Sequence, residues 1–226
     1  MTTVDASDAA PDVASDTAPD GAAEPDRRHT DQGLERKRQL LDTAEVLFAE
    51  NGYEQTRIAD ICSAAGVAKG LFYWYFPTKE SLFAELVRTM RHELRRAQAA
   101  AMDPAADPLT RIRQGSAASV RFMAEHRSYF ALLDVERGHA VAELLREGSD
   151  VYAADVVRLV VEAQEAGLAD DGDPRLHAVG VMGAVSSFSH ALRNAAVAVD
   201  VDGLAEAVGD WVVGGLTSRL EHRHMS

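Results

Sequence analysis

A single cysteine, Cys62, in 226 residues excludes an intramolecular disulfide and a cysteine-built zinc site, and a reducing interior compartment is expected. Aromatic residues are scarce at 6% while 46% of the chain is hydrophobic, so the core must come mainly from Ala, Val and Leu. That balance suits packed helices better than sheets. No apolar run approaches the roughly 20 residues of a membrane span. The opening MTTVDASDAAPDV has no basic region followed by an apolar one, so no signal peptide is expected. The chain is expected to be cytoplasmic and free of membrane. P-loop, dinucleotide and HExxH signatures are also missing. Ser186, Ser187, Ser189 and His190 share one helix without an acid partner in sequence, and the His222-x-His224 pair is poor metal geometry. These absences argue against an enzyme, and no metal or cofactor is expected.

The net charge of -13 is unevenly spread. Residues 1–33 hold eight acidic and two basic side chains, net -6. Residues 34–100 hold nine acidic and ten basic, net +1, and residues 101–226 hold nineteen acidic and eleven basic, net -8. Only the middle segment escapes the acidic excess. Local contact with a polyanion by a few placed cations fits this pattern, and general polyanion binding does not.

Residues 1–33 are Asp, Ala, Pro and Ser with almost no large apolar side chain. They bury too little surface to offset their ordering entropy and are expected to be a disordered acidic tail. The rest reads as all-α. Leu40, Ala44, Leu47 and Phe48 form one helical stripe, closed by Asn51-Gly52. Ile58, Ile61, Cys62 and Ala65 form the next, with Thr56 as its expected N-cap. After Pro77, Thr78 caps a long helix with the stripe Phe83, Leu86, Val87, Met90 and Leu94. Further helices are expected from Pro108 to Glu125, through Tyr129 to Leu133, from about Val141 to Ala166, from Pro174 to Val199 and from Asp202 to Arg223.

Residues 57–76 have the pattern of a helix-turn-helix. Such a unit needs a bracing helix, a tight turn and a second helix that projects side chains into the major groove. Ile58 and Ile61 supply the brace, and Gly66 permits the turn. Val67 packs inward and leaves the helix from Lys69 to Tyr75 facing out. Lys69 and Lys79 offer point charges for phosphate, and the Tyr73 and Tyr75 hydroxyls can donate to backbone oxygens. Tyr73, Trp74 and Tyr75 cannot all point inward at helical spacing, so only Phe72 and Phe76 are expected as core. Cys62 reads as core on the bracing face.

This segment resembles the TetR family of bacterial transcriptional regulators over roughly Arg36 to Leu94. The resemblance rests on Phe48, Asn51-Gly52-Tyr53, Thr56, Asp60-Ile61, Ala65-Gly66-Val67, Lys69-Gly70, Tyr73, Phe76, Lys79-Glu80 and Leu82. It implies an all-helical homodimer. A three-helix DNA-binding domain (34–100) would be joined by a long helix to an effector-binding and dimerisation domain (101–226). By position, Thr56 and Arg57 resemble phosphate or base contacts. Lys69, Gly70, Tyr73 and Tyr75 fall where the recognition helix meets DNA, and Lys79 resembles a phosphate contact. Two departures stand out. Ala68 replaces a common Ser or Thr cap, and Leu71 replaces a common Thr, offering apolar contact to a thymine methyl. Of Phe72 and Trp74, one is expected inside and the other against the sugar-phosphate edge.

Two reader helices spaced by one turn of the duplex recognise a near-palindromic double-stranded operator better than one. In the helix after Pro174, Gly180, Gly183, Ala184, Ser187 and Ala191 make a small-residue face, opposite Val181, Val185, Phe188 and Leu192. Leu204, Val208, Trp211, Val212, Leu216 and Leu220 make a sustained stripe in the last helix. A helix apolar on two sides has two partners, so these helices are expected to join two subunits. The larger residues Met123, His126, Tyr129, Phe130, Tyr152, Met182 and Phe188 are the expected lining for a small, hydrophobic effector. The leading expectation is a homodimeric repressor released by that effector. An activator of the same fold and a helical protein–protein adaptor are the alternatives.

Overall fold

A computed structural model describes residues 24–135, 153–195 and 199–224. Among the described residues the secondary structure is helical throughout: α1 (Glu24–Asn51), α2 (Ile58–Ala64), α3 (Lys69–Tyr75), α4 (Lys79–Ala101), α5 (Pro108–Glu125) and α6 (Arg127–Val135) are followed by α7 (153–165), α8 (Pro174–Arg193) and α9 (Val201–His224). The chain divides into two compact units, Met1–Arg38 and Gln39–Ser226. In the first unit, helix α1 begins at Glu24, inside the stretch expected to be disordered. Pro25 falls in the first turn, where its missing N–H costs nothing, and the Glu, Arg and Gln residues that follow are good helix formers.

In the second unit, the early helices share one core. Leu40, Leu41, Ala44 and Phe48 of α1 meet Ile61 and Cys62 of α2, Phe72 of α3, and Leu82, Phe83, Leu86, Val87 and Met90 of α4. Phe48, Tyr53 and Phe83 pack as an aromatic triad with centroids 5.1–5.8 Å apart. Gly52 (φ +83°) closes α1 in the left-handed region. Thr78 caps α4: its Oγ1 accepts from the Ser81 N–H at 3.1 Å, and Ser81 Oγ accepts from the Thr78 N–H at 3.1 Å. Phe122, Tyr129 and Leu132, from α5 and α6, complete this first core. Burial pushes the Tyr129 hydroxyl well above its usual pKa.

A second core lies among α5, α7, α8 and α9, built on Val120, Val160, Val185, Val208 and their neighbours. Helices α5 and α9 approach closely. A Cβ on Gly209 would stand 3.0 Å from the Arg113 carbonyl oxygen, a tight contact that a larger residue could make only if the helices shifted. An ion ladder flanks the contact: Arg113 bonds Asp210 (2.5 Å) and Glu206 (2.8 Å), and Arg121 bonds Glu206 (2.6 Å) and Asp202 (2.7 Å). These hydrogen bonds, from Arg121 first, hold the Glu206 carboxyl below the usual range.

Two helix ends differ from expectation. Helix α8 stops at Arg193 rather than Val199, because Asn194 caps it: its N–H and its side-chain Nδ2 both donate to the His190 carbonyl, at 3.2 and 3.0 Å. Helix α9 starts at Val201, with the Asp200 carboxylate accepting from the Gly203 N–H at 3.0 Å. The link between them is therefore longer than three residues.

Candidate nucleic-acid interface

Helix α2 ends in a turn that fixes the direction of α3. The Val67 N–H donates to the Cys62 carbonyl (3.0 Å) and the Gly66 N–H to the Ser63 carbonyl (3.2 Å), the paired bonds of a Schellman cap. Gly66 has φ +63°, the left-handed conformation this cap demands. Gln39 Nε2 of α1 donates to the Ala65 carbonyl at 3.0 Å and ties the turn to the core. Burial of the Cys62 side chain beneath the turn pushes its thiol up in pKa.

Seven residues make α3, and Phe72 is its buried anchor. Phe76 follows it into the core, with the Phe72 and Phe76 rings 5.8 Å apart. The opposite face is open. Lys69 and Gly70 are exposed, Tyr73 is 53% and Trp74 74% accessible, and Leu71 and Tyr75 are half-buried. Trp74 stacks edge-on against Tyr75 at 4.6 Å, which holds the indole at the helix surface. Phe72 is thus the inward aromatic and Trp74 the outward one. Ala68 occupies the N-cap and gives α3 no side-chain cap.

Two of the sequence-derived contacts, Thr56 and Lys79, are placed differently. Thr56 is not an N-cap: it is 2% exposed, and its hydroxyl bonds the carbonyls of Leu47 (3.1 Å) and Gly52 (2.8 Å). Arg57 takes the cap position instead, and the Asp60 carboxylate accepts from its N–H (3.1 Å) and its Nε (3.2 Å). Those bonds from Arg57 hold the Asp60 carboxyl below the usual range. Arg57 remains at the surface, paired with Asp60. Lys79 is turned inward. Its Nζ donates to the carbonyls of Tyr53 (2.7 Å), Thr56 (3.2 Å) and Glu54 (3.4 Å), which uses all three ammonium protons. The exposed face is therefore Lys69, Gly70, Tyr73 and Trp74, with Arg57 beside it in sequence order at the start of α2.

Residues 40–86 match the family model for bacterial regulatory proteins of the tetR family. Over this segment the chain is similar to the TetR family. It is 42% identical over 59 residues to the HTH-type transcriptional repressor KstR2 of Rhodococcus jostii, a match covering 26% of this chain and 29% of that protein. It is 26% identical over 129 residues to the HTH-type transcriptional regulator YhgD of Bacillus subtilis, covering 56% of this chain and 60% of that protein. The chain thus spans less than two thirds of the length of these relatives. They are named as transcriptional regulators, not enzymes. In fold it is similar to the fatty acid degradation regulator FadR of Bacillus halodurans, with TM-score 0.72 and 24% identity over 80% of this chain and 96% of that one.

Among the described residues, none of the expected effector residues lines the cavity that opens beside α4. Tyr129 is buried in the first core with Phe130 packed against it, and His126 lies on the Phe122 ring at 4.2 Å. Met123, Met182 and Phe188 pack against the second core, and Tyr152 lies outside the described residues. A cavity of about 330 Å³ opens elsewhere, between the end of α4 and helices α5, α7 and α8. It forms where α5 presents Gly115 and Ser116 opposite Ala99 of α4 and Met102 just after it. Space remains where side chains are small, whereas large apolar side chains fill the room they face.

The expected dimer residues also divide. Ala184, Val208, Val212 and Leu216 are buried in the second core and Leu204 packs against it, so they serve this chain's own interior. Ala184 follows Val181 by three positions and shares its inward face. Gly180, Gly183, Ser187 and Ala191 are exposed, as is Trp211 at 60%. Leu176 (69%) and Val179 (63%) continue the exposed apolar face of α8, at i, i+3 and i+7 to Gly183. Among the described residues, no helix is long and apolar enough to cross a membrane.

Proposed function

We propose that the protein is a sequence-specific DNA-binding transcriptional regulator, a homodimeric repressor released from a near-palindromic operator by a small effector. The observation that carries this reading is the open face of α3. An aromatic pair at 53% and 74% exposure beside Lys69 and Gly70, on a helix fixed by a Schellman turn, is a costly surface for a soluble protein unless something covers it. A major groove accepts a helix of this size, with Lys69 and the Tyr73 hydroxyl for phosphate oxygens and Leu71 and Trp74 for apolar contact. The relative KstR2 is named a transcriptional repressor, which supports that sign of regulation here.

One seven-residue helix reads too few base pairs for selectivity. The exposed apolar face of Leu176, Val179, Gly180 and Gly183 on α8, with Trp211 on α9, supplies the second requirement, a surface for a second copy. Release by an effector needs a path to the reader. Phe122, Tyr129 and Leu132 enter the core that holds α1 to α4, so a shift of α5 or α6 acts on the packing beneath α3.

Selection of bound duplexes from a random pool tests the proposal. Enrichment of an inverted repeat, with affinity that falls steeply as salt rises, supports it. Absence of any enriched duplex at low salt, with salt-independent capture of a protein instead, would favour the adaptor reading.

A further inference from the structure

The cavity between α4, α5, α7 and α8 is apolar in its floor and cationic at one side. Met102, Ile112, Val156, Leu159 and Val181 contribute the apolar surface. Three guanidiniums, Arg95, Arg111 and Arg158, line it against one lining carboxylate, Asp155. Asp155 is taken by Arg95 at 2.8 Å. Arg111 and Arg158 share a single carboxylate, Glu162, which Arg158 meets at 2.7 Å. Among the described residues, these three guanidiniums pair with two carboxylates, Asp155 and Glu162, so positive charge is in excess by one. In addition, Arg111 Nε is buried and has no acceptor. A buried donor without a partner is destabilising, and a donor on a cationic group more so.

We infer that this cavity binds an amphipathic carboxylate, whose apolar body fills the floor and whose anionic end accepts from the Arg111 guanidinium. A ligand with one carboxylate supplies both missing features, the acceptor for Nε and the negative charge for the Arg111–Arg158 pair. A neutral apolar ligand would leave the charge unmatched, and a cation would face three arginines. The cavity, about 330 Å³, suits a small body at the lower end of the usual ligand range. The inference identifies the effector class for the regulator proposed above and rests on that reading only for its consequence on DNA.

Calorimetric titration of the full chain with decanoate, decanol and decylamine tests it without DNA. Decanoate is expected to bind about tenfold or more tighter than decanol, with decylamine weaker still. Arg111→Lys keeps the cation but removes the Nε donor, and should abolish most of the preference for decanoate. Gly115→Leu should block all three ligands, since a Cβ at Gly115 meets only the flexible Met102 side chain at 3.4 Å and the rest of the leucine enters the cavity. Equal binding of the acid and the alcohol would overturn the inference, as would decanoate affinity unchanged in both folded variants. Operator binding, followed separately by anisotropy, keeps the two ideas apart. Decanoate that binds as expected yet releases no DNA defeats effector release and leaves the cavity assignment standing. Operator binding without a carboxylate preference defeats the cavity assignment alone.

Discussion

Lys79 Nζ lies 2.7 Å from the Tyr53 carbonyl oxygen and 4.2 Å above the centre of the same residue's ring. One ammonium therefore clamps the loop between α1 and α2 through its backbone and its side chain together. The loop carbonyls of Glu54 and Thr56 complete the clamp, which ties the start of α4, at Lys79, to that loop.

Lys79→Met should therefore lower stability by about 1.5–3 kcal/mol, the range for hydrogen bonds to a charged group. Urea denaturation measures this. An unchanged unfolding midpoint combined with lost DNA affinity would return Lys79 to a phosphate-contacting role.

Thr56→Val removes the donor to Leu47 and Gly52 while keeping the shape of the side chain. The hydroxyl has one proton, shared between the two carbonyls, so a total loss of roughly 0.5–1.5 kcal/mol is expected, with Thr56→Ser much milder. Operator affinity of the folded Thr56→Val protein should change little. A large, selective affinity loss at full stability would mean the hydroxyl reaches DNA.

Tyr73→Ala and Trp74→Ala remove exposed side chains, so each should shift stability by no more than about 0.5 kcal/mol. Operator affinity should drop by about tenfold or more in each, equivalent to roughly 1.4 kcal/mol. Thermal melts paired with anisotropy titrations separate the two effects. Wild-type affinity in both variants would remove α3 from the interface.

Gly66→Ala isolates the turn. A Cβ there meets nothing within 4 Å, so any cost comes from the positive φ alone, about 1–2 kcal/mol. Gly66→Asn, better tolerated in that region, should recover part of it. Equal stability of all three proteins would show that the turn relaxes to another conformation.

Val179→Glu places a charge on the exposed α8 face, and Trp211→Glu does the same on α9. Either should convert a dimer to monomer in sedimentation while leaving helicity intact, and operator affinity should fall with it. A dimer that persists in both variants would move the interface elsewhere.

The α3 face was legible in the chain because it depends on local order. Seven residues at helical spacing cannot bury Phe72, Tyr73, Trp74 and Tyr75 on one side, and Gly66 marks the only turn that lets α3 leave the brace. The Thr78 cap of α4, bonded to Ser81 three residues on, was equally readable. The cavity was not. Gly115, Ala99 and Val181 come from three different helices, and the space they leave exists only after those helices pack.

Thr56 and Lys79 divide along the same line. Residue type and position in a DNA-binding pattern suggested contact for both, but type does not say which way a polar side chain turns. The carbonyls that Thr56 and Lys79 satisfy lie at the end of α1 and in the loop after it, and folding leaves those oxygens in need of donors. By itself the sequence determined the helical class, the turn and the outward aromatics, since periodicity and backbone sterics act over a few residues. Tertiary structure alone decided which hydroxyls and cations face solvent, which faces of α8 and α9 are spent inside the chain, and where an empty volume remains, because each depends on distant groups competing for the same hydrogen bonds and the same space.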